Sequence, residues 1–248
     1  MSFIFWEKTK NTNLENYTLI LPAIAVGNVG QLAIDLLLRN LNVDNLAYLH
    51  HPCFLPFAGA DAFDPQSDKL STSCQMYECK EKRLVIIQHR APLVNSRVKE
   101  YLDFLTKFIK DHKIKRTIML SSSFSQYFAF EQLENVPLHY LCSSNVENES
   151  RFGKLSWKKF NLALPHVPAI PGSGISKLFL DMCEEQNIPV VVLIMVCSEG
   201  GNYSEAYQMV SNLNKWLQIK EGDSEKIRWV QPFSWSYPYA NDAPAVMY

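Results

Sequence analysis

The sequence predicts an α/β fold, a single domain with a mostly parallel central sheet flanked by helices, followed by an aromatic C-terminal extension. Three observations predict it. Amphipathic segments of helical period alternate with short apolar runs, the pattern of helices layered on a sheet. Residues 189–196 are continuously apolar, as in a strand buried on both faces of a parallel sheet. Only 9 of the 248 residues are glycine, and six of these fall in three turns: Gly27 with Gly30, Gly172 with Gly174, and Gly200 with Gly201. Each turn precedes a helical pattern, so the glycines mark where the chain reverses.

The elements follow in order. Residues 17–21 form a β-type run ending at Pro22. Residues 23–30 turn the chain into a helix that carries Val29, Leu32, Ala33, Leu36 and Leu37 on one face. Asn28 and Gln31 suit the N-cap and N3 positions of a capping box. Residues 46–49 and 53–57 read as strands on either side of Pro52, and 58–68, polar with Gly and Pro, as a loop. Residues 71–78 and 84–89 read as an antiparallel pair joined by the charged turn 79–83. A helix over 95–112 has the stripe Val98, Tyr101, Leu102, Leu105, Phe108 and Ile109. Residues 117–120 form a buried strand leading into Ser121, Ser122 and Ser123. Residues 124–168 are the least regular part, with one apolar run at 138–141, and Pro165, Pro168 and Pro171 argue against a helix there. Helical period returns over 174–186 through Ile175, Leu178, Phe179 and Met182. After the apolar strand comes a turn at 198–202, where Asn202 and Glu205 again suit a capping box. The last helix shows Ala206, Tyr207, Val210, Leu213 and Leu217. No internal repeat and no Gly-, Pro- or Ser-rich linker divides the chain. The organisation expected is an N-terminal extension at 1–16, an α/β domain at 17–220 and a tail at 221–248.

Composition narrows the function. Hydrophobic residues make up 47% and charged residues 20% of the chain, the balance of a folded domain. Lys and Arg total 24 against 25 Asp and Glu, a net charge of −1. That lacks the basic field of a nucleic-acid binder, so no nucleic acid is expected as partner. The run at 190–197 is too short to span a bilayer as a helix, and the N-terminus has no apolar signal-peptide core, so no membrane partner is expected. Cys53, Cys74, Cys79, Cys142, Cys183 and Cys197 include no CxxC pair, and no metal or other cofactor is expected. Cys183 and Cys197 sit in apolar patterns as buried thiols, which suits a reducing compartment.

Two constellations carry possible chemistry. Strand-to-helix turns gather on the carboxyl edge of a parallel sheet, where helix N-termini offer free N–H groups to anions. Gly172, Ser173, Gly174 and Lys177 could therefore hold a phosphate or carboxylate, in an enzyme or a small-anion or nucleotide-binding module. The same glycines equally serve only as tight turns, and neither the P-loop pattern nor GxGxxG is present. Ser121 to Ser123 end a strand without GxSxG, and His50, His51, His89, His112, His139 and His166 show no metal spacing, so no catalytic residue is assigned. The tail is rich in aromatics, with Trp229, Phe233, Trp235, Tyr237 and Tyr239, and ends Val246-Met247-Tyr248. It either packs back on its own core or serves as a docking peptide.

Leu21-Pro22-Ala23, Val26-Gly27-Asn28-Val29-Gly30-Gln31-Leu32-Ala33 and Asp35-Leu36 resemble the opening of the proteasome assembly chaperone 2 family. In order behind them stand Leu120-Ser121-Ser122-Ser123, Leu155 with Trp157, and Ile170-Pro171-Gly172 with Gly174-Ile175 and Lys177. Ser198-Glu199-Gly200 with Asn202, Leu213-Asn214 with Trp216-Leu217-Gln218-Ile219, and Ser234-Trp235 complete the set. The resemblance implies a non-enzymatic chaperone. It implies a heterodimer with proteasome assembly chaperone 1 that binds 20S α subunits, supports α-ring assembly and prevents aberrant α-ring dimers, in cytoplasm and nucleus. Related chaperones insert tails ending hydrophobic-Tyr-any between α subunits; here Tyr248 is terminal and Met247 holds the penultimate place.

Overall fold

A computed structural model describes residues 3–7, 13–125, 138–160, 170–198, 200–222 and 227–236. Its strands are β1 (Phe3–Trp6), β2 (Thr18–Pro22), β3 (Asp44–His50), β4 (Ala58–Ala60), β5 (Leu70–Thr72), β6 (Cys74–Cys79), β7 (Leu84–His89), β8 (Arg116–Phe124), β9 (His139–Cys142), β10 (Lys158–Lys159) and β11 (Val190–Cys197). The helices are α1 (Val29–Asn40), α2 (Val98–Asp111), α3 (Ser150–Lys154), α4 (Ser176–Glu185) and α5 (Tyr203–Leu217).

Among the described residues one sheet has the order β1-β3-β6-β7-β2-β8-β11-β9-β10, and β4 pairs with β5 in a separate ribbon. The sheet is mixed. Its centre, β7-β2-β8-β11, is parallel. The flank β1-β3-β6 joins β7 through antiparallel pairs, and β9 returns antiparallel to β11. Strand alternation divides the central apolar runs between two cores. In β11, Val190, Val192 and Ile194 face one core, while Val191, Leu193 and Met195 face the other. The first core is closed by Tyr101, Leu102, Leu105 and Phe108 of α2 with Phe179 and Met182 of α4. The second is closed by Val29, Ala33, Leu36 and Leu37 of α1 with Ala206, Val210 and Leu213 of α5. No helix among the described residues is long and apolar enough to cross a membrane.

Three local expectations are corrected. Residues 53–57 do not form a strand. The Cys53 N–H donates to His51 Nδ1 at 3.0 Å and the Phe54 N–H to the His51 carbonyl at 3.0 Å, which coils the segment. That coil sets the Phe54 ring 4.8 Å from Tyr101, and Phe54 keeps only an isolated bridge to Leu93. The run at 71–78 is broken at Ser73, so its start pairs with Ala58–Ala60, inside the expected loop. Neither capping box forms. Asn28 sits at φ +53°, left-handed rather than the extended backbone an N-cap needs, and makes no side-chain cap. Asn202 turns its amide back to the Ser198 and Gly200 carbonyls, at 2.9 and 3.0 Å, and also makes no cap.

The N-terminal segment adds β1 to the sheet edge. Near the other terminus, Asn40 Nδ2 donates to the Val230 carbonyl and its Oδ1 accepts the Val230 N–H, at 2.7 and 2.9 Å. The Trp235 ring lies 4.8 Å from Tyr203. The first part of the aromatic tail thus packs on α1 and α5.

A buried histidine makes the fold acid-sensitive. His89 is buried with Nε2 2.6 Å from the Tyr101 hydroxyl. Burial pushes its pKa down to about 3. The unfolded chain, near about 6.5, binds the proton first as pH falls. Stability is therefore full above about pH 6.5 and falls toward pH 3, by at most about 1.4 kcal/mol per pH unit for this group. Burial lowers His51, His112 and His139 in the same direction. Urea unfolding between about pH 4.5 and pH 7.5 should show this slope, and His89→Gln should make it visibly shallower.

Candidate functional site

The carboxyl ends of β2, β8 and β11 lie side by side, and the three glycine turns meet there. What holds them is the serine run at the end of β8. The Ser121 hydroxyl donates to the Ser173 carbonyl at 3.0 Å and the Ser123 hydroxyl to the Pro171 carbonyl at 2.7 Å. Ser122, pointing to the opposite face, donates to the Val26 carbonyl at 2.5 Å. One strand end therefore ties the turn before α4 on one face and the turn before α1 on the other. The three hydroxyls are buried and fully used as donors, so none stands as a nucleophile beside a base.

The turns also touch one another. The Val26 N–H donates to the Gly172 carbonyl at 2.7 Å and the Ile175 N–H to the Ala23 carbonyl at 3.1 Å. Gly174 has φ +59°, and a Cβ there would overlap the carbonyl oxygens of Ala23 and Ile24. Gly27 has φ +66° and lies directly against the Asn202 amide and Cys197 Sγ, which joins the third turn to the first. Gly30 lets α1 approach the Leu120 carbonyl closely. Gly200 stands open, with φ +128°. Among the described residues these contacts draw the turns together at the strand ends.

Lys177 and the first N–H groups of α4, considered for an anion, are committed elsewhere. Lys177 Nζ lies 2.6 and 2.7 Å from the Asp181 carboxylate one helical turn on. The Ile175 and Ser176 N–H groups of the α4 start already bond the Ala23 and Ser173 carbonyls. Ser173 is buried, its hydroxyl without a partner among the described residues. Burial pushes the Cys183 thiol up to about 12 and raises Cys197, so both are held as thiols. No group of three or more His, Cys, Asp or Glu among the described residues could hold a metal ion. Glu199, His166, Tyr237, Tyr239, Val246, Met247 and Tyr248 lie outside the described residues.

Two features of this edge were not legible in sequence. Asp35 and Arg90, far apart in the chain, form a pair at 2.7 Å, with Gln88 Nε2 also 2.7 Å from Asp35. The second is Ile24, a β-branched residue at φ +52°. Left-handed backbone costs such a residue about 1–2 kcal/mol. Ile24 lines an apolar groove of about 400 Å³ with Leu93, Val98, Gly174, Ile175 and Leu178. The groove beside the turns is lined mainly by apolar side chains, and most polar groups of the turns serve internal contacts.

Comparison with known proteins agrees with this frame. A model of the PAC2 family matches residues 19–228. The chain is 33% identical to proteasome assembly chaperone 2 of Danio rerio, over 95% of this chain and 96% of the relative. It is 36% identical to proteasome assembly chaperone 2 of Nematostella vectensis, over 88% and 96%. Its fold resembles the crystal structure of Pyrococcus furiosus PbaA, described as an archaeal homologue of proteasome-assembly chaperone. That match has TM-score 0.70 and 16% identity, over 90% of this chain and 88% of the other.

Gly174→Ala should cost more than about 2 kcal/mol, because left-handed strain adds to a clash with fixed backbone. Gly153→Ala in α3, where nothing lies within 4 Å, is the control. It should leave stability unchanged or raise it by up to about 1 kcal/mol. Chemical denaturation of both variants checks the contrast.

Proposed function

The chain belongs to the PAC2 family, and from that premise we propose that it is a proteasome assembly chaperone, acting by binding rather than catalysis. The observation that carries the reading is family similarity over nearly the whole chain. The carboxyl edge supports it, since carbonyls of the turns that might have cradled a phosphate are used to hold the frame together. A small-anion or nucleotide-binding enzyme at Gly172, Ser173, Gly174 and Lys177 has less support, because Lys177 is paired with Asp181.

In the finer reading the protein pairs with proteasome assembly chaperone 1. The heterodimer binds 20S α subunits, promotes α-ring assembly and blocks aberrant α-ring dimerisation, in cytoplasm and nucleus. It holds an α face of the immature ring and leaves when the mature particle binds it less well, which requires different affinities for the two states. Val246, Met247 and Tyr248 serve as a docking end. One charge-assisted bond of about 1.5–3 kcal/mol and one buried side chain of about 1.5–3 kcal/mol make weak docking alone. A second contact by the same assembly converts this into useful affinity through effective concentration.

Affinity purification of the tagged chain from cells, with identification of bound proteins, tests the reading. Proteasome assembly chaperone 1 and α subunits should be recovered, and recovery of neither rejects it. Deleting residues 246–248 should weaken precursor binding about tenfold, about 1.4 kcal/mol, while leaving the partner chaperone bound. Unchanged precursor affinity would remove the tail from the mechanism.

A further inference from the structure

Arg116 opens β8 and is only partly exposed. Arg90, which is also covered, meets the Asp35 carboxylate at 2.7 Å. Arg116 has an aromatic ring in place of a carboxylate. Its guanidinium lies over Trp216, with Cζ 5.2 Å from the ring centre. The Trp216 ring is itself held, edge to face, by Phe152 at 5.1 Å and Trp157 at 5.8 Å. The Trp157 indole N–H donates at 3.2 Å to Asn212 Oδ1, one turn of α5 before Trp216. The plane of the Arg116 fork therefore rests on a fixed platform.

Phe152 brings α3 against this platform. That helix carries Arg151 beside Phe152 and Lys154 one turn later, and Lys215 precedes Trp216 on α5. Arg151, Lys154 and Lys215 are exposed. None of these four cations is in an ion pair among the described residues. Glu149, the acid nearest to Arg151 in sequence, is taken by Lys159 Nζ at 2.9 Å and by the Tyr140 hydroxyl at 3.1 Å. Burial pushes the Arg116 pKa down, and the Arg151 charge pushes it the same way. Two like charges close together, one of them partly desolvated, are relieved by an anion placed between them. In a chain of net charge −1 this corner is a local excess of positive charge.

We propose that Arg116 and Arg151, with Lys154 and Lys215 around them, form a binding site for the carboxylates of an acidic segment on a partner protein. A guanidinium fixed flat by Trp216 suits a carboxylate, which it can take through two parallel hydrogen bonds. The cations come from β8, α3 and α5, a spread that matches several carboxylates along a chain segment better than one small anion. The negative charge of the whole chain disfavours a long polyanion such as RNA. The site is a property of the isolated chain, and it goes beyond the chaperone reading without depending on it.

Titration of the full chain with a hexaglutamate peptide at low salt, followed by NMR, tests the proposal. The side-chain Nε–H signals of Arg116 and Arg151 and the indole signal of Trp216 should shift saturably. Arg151→Glu should weaken binding at least about tenfold. Arg116→Lys, which keeps the charge and loses the planar fork, should also weaken it about tenfold. Lys99→Glu, which reverses a charge on α2, should leave the affinity within about twofold, since distant surface charges are screened. Thermal melts of the variants establish that they remain folded. The absence of a saturable shift overturns the proposal. So does an equal loss in Lys99→Glu, or full affinity in Arg116→Lys, either of which reduces the effect to general charge attraction. Tighter binding of inorganic phosphate or of a short uridine RNA at the same ionic strength assigns the cations to phosphate and overturns it as well.

Discussion

Three neighbouring hydroxyls at the end of β8 set the terms for the rest of the molecule. Leaving a buried hydroxyl unsatisfied costs free energy. Ser121, Ser122 and Ser123 are all buried there, and each needs an acceptor. They find three in the carbonyls of Ser173, Val26 and Pro171, which belong to turns on opposite faces of the sheet. Because successive residues of a strand point in opposite directions, one short polar run locks the starts of α1 and α4 at once. The helices are then positioned, and with them the two cores they close.

Much of this frame could be read in advance. The period of α2 and the uninterrupted apolar run of β11 are strong signals, because burial on one stripe or on both faces leaves a direct mark on residue choice. The glycine turns were visible for the same reason, since Gly27 and Gly174 occupy conformations and spaces that a side chain cannot share. The failures were of another kind. The capping patterns at Asn28 and Asn202 were right in spacing, but their backbone or side chains were claimed by the turns. The coil at 53–57 answers to an aromatic cluster whose members come from three separate segments. Tertiary demands of this sort leave no local pattern.

The candidate site followed the same division. Sequence located the turns at Gly172 and Gly174 and made them look like an anion cradle. Whether Lys177 faces a ligand or Asp181 depends on a rotamer, and whether a crevice is open depends on how closely three turns approach. Neither is written in spacing. The resemblance to a chaperone family, by contrast, rests on residues scattered along the whole chain. Many of them, including the β8 serines, Gly30 and Trp157, now have structural duties. A family match carried by such residues speaks for a shared scaffold, and the exposed apolar surfaces are where members can differ in what they hold.

The placement of β11 between β8 and β9 has a consequence for how the chain is made. β8 is complete at residue 124, but its parallel neighbour spans 190–197. During synthesis the ribosome must add more than sixty residues before that partner exists, and α5 comes later still. Until then the middle of the nascent sheet is an open apolar edge, the hazard of long-range parallel pairing. The newborn chain therefore cannot complete its central sheet until β11 has been made. A protein read as a guardian of unfinished assemblies passes through an unfinished state of its own while the segment between β8 and β11 is made.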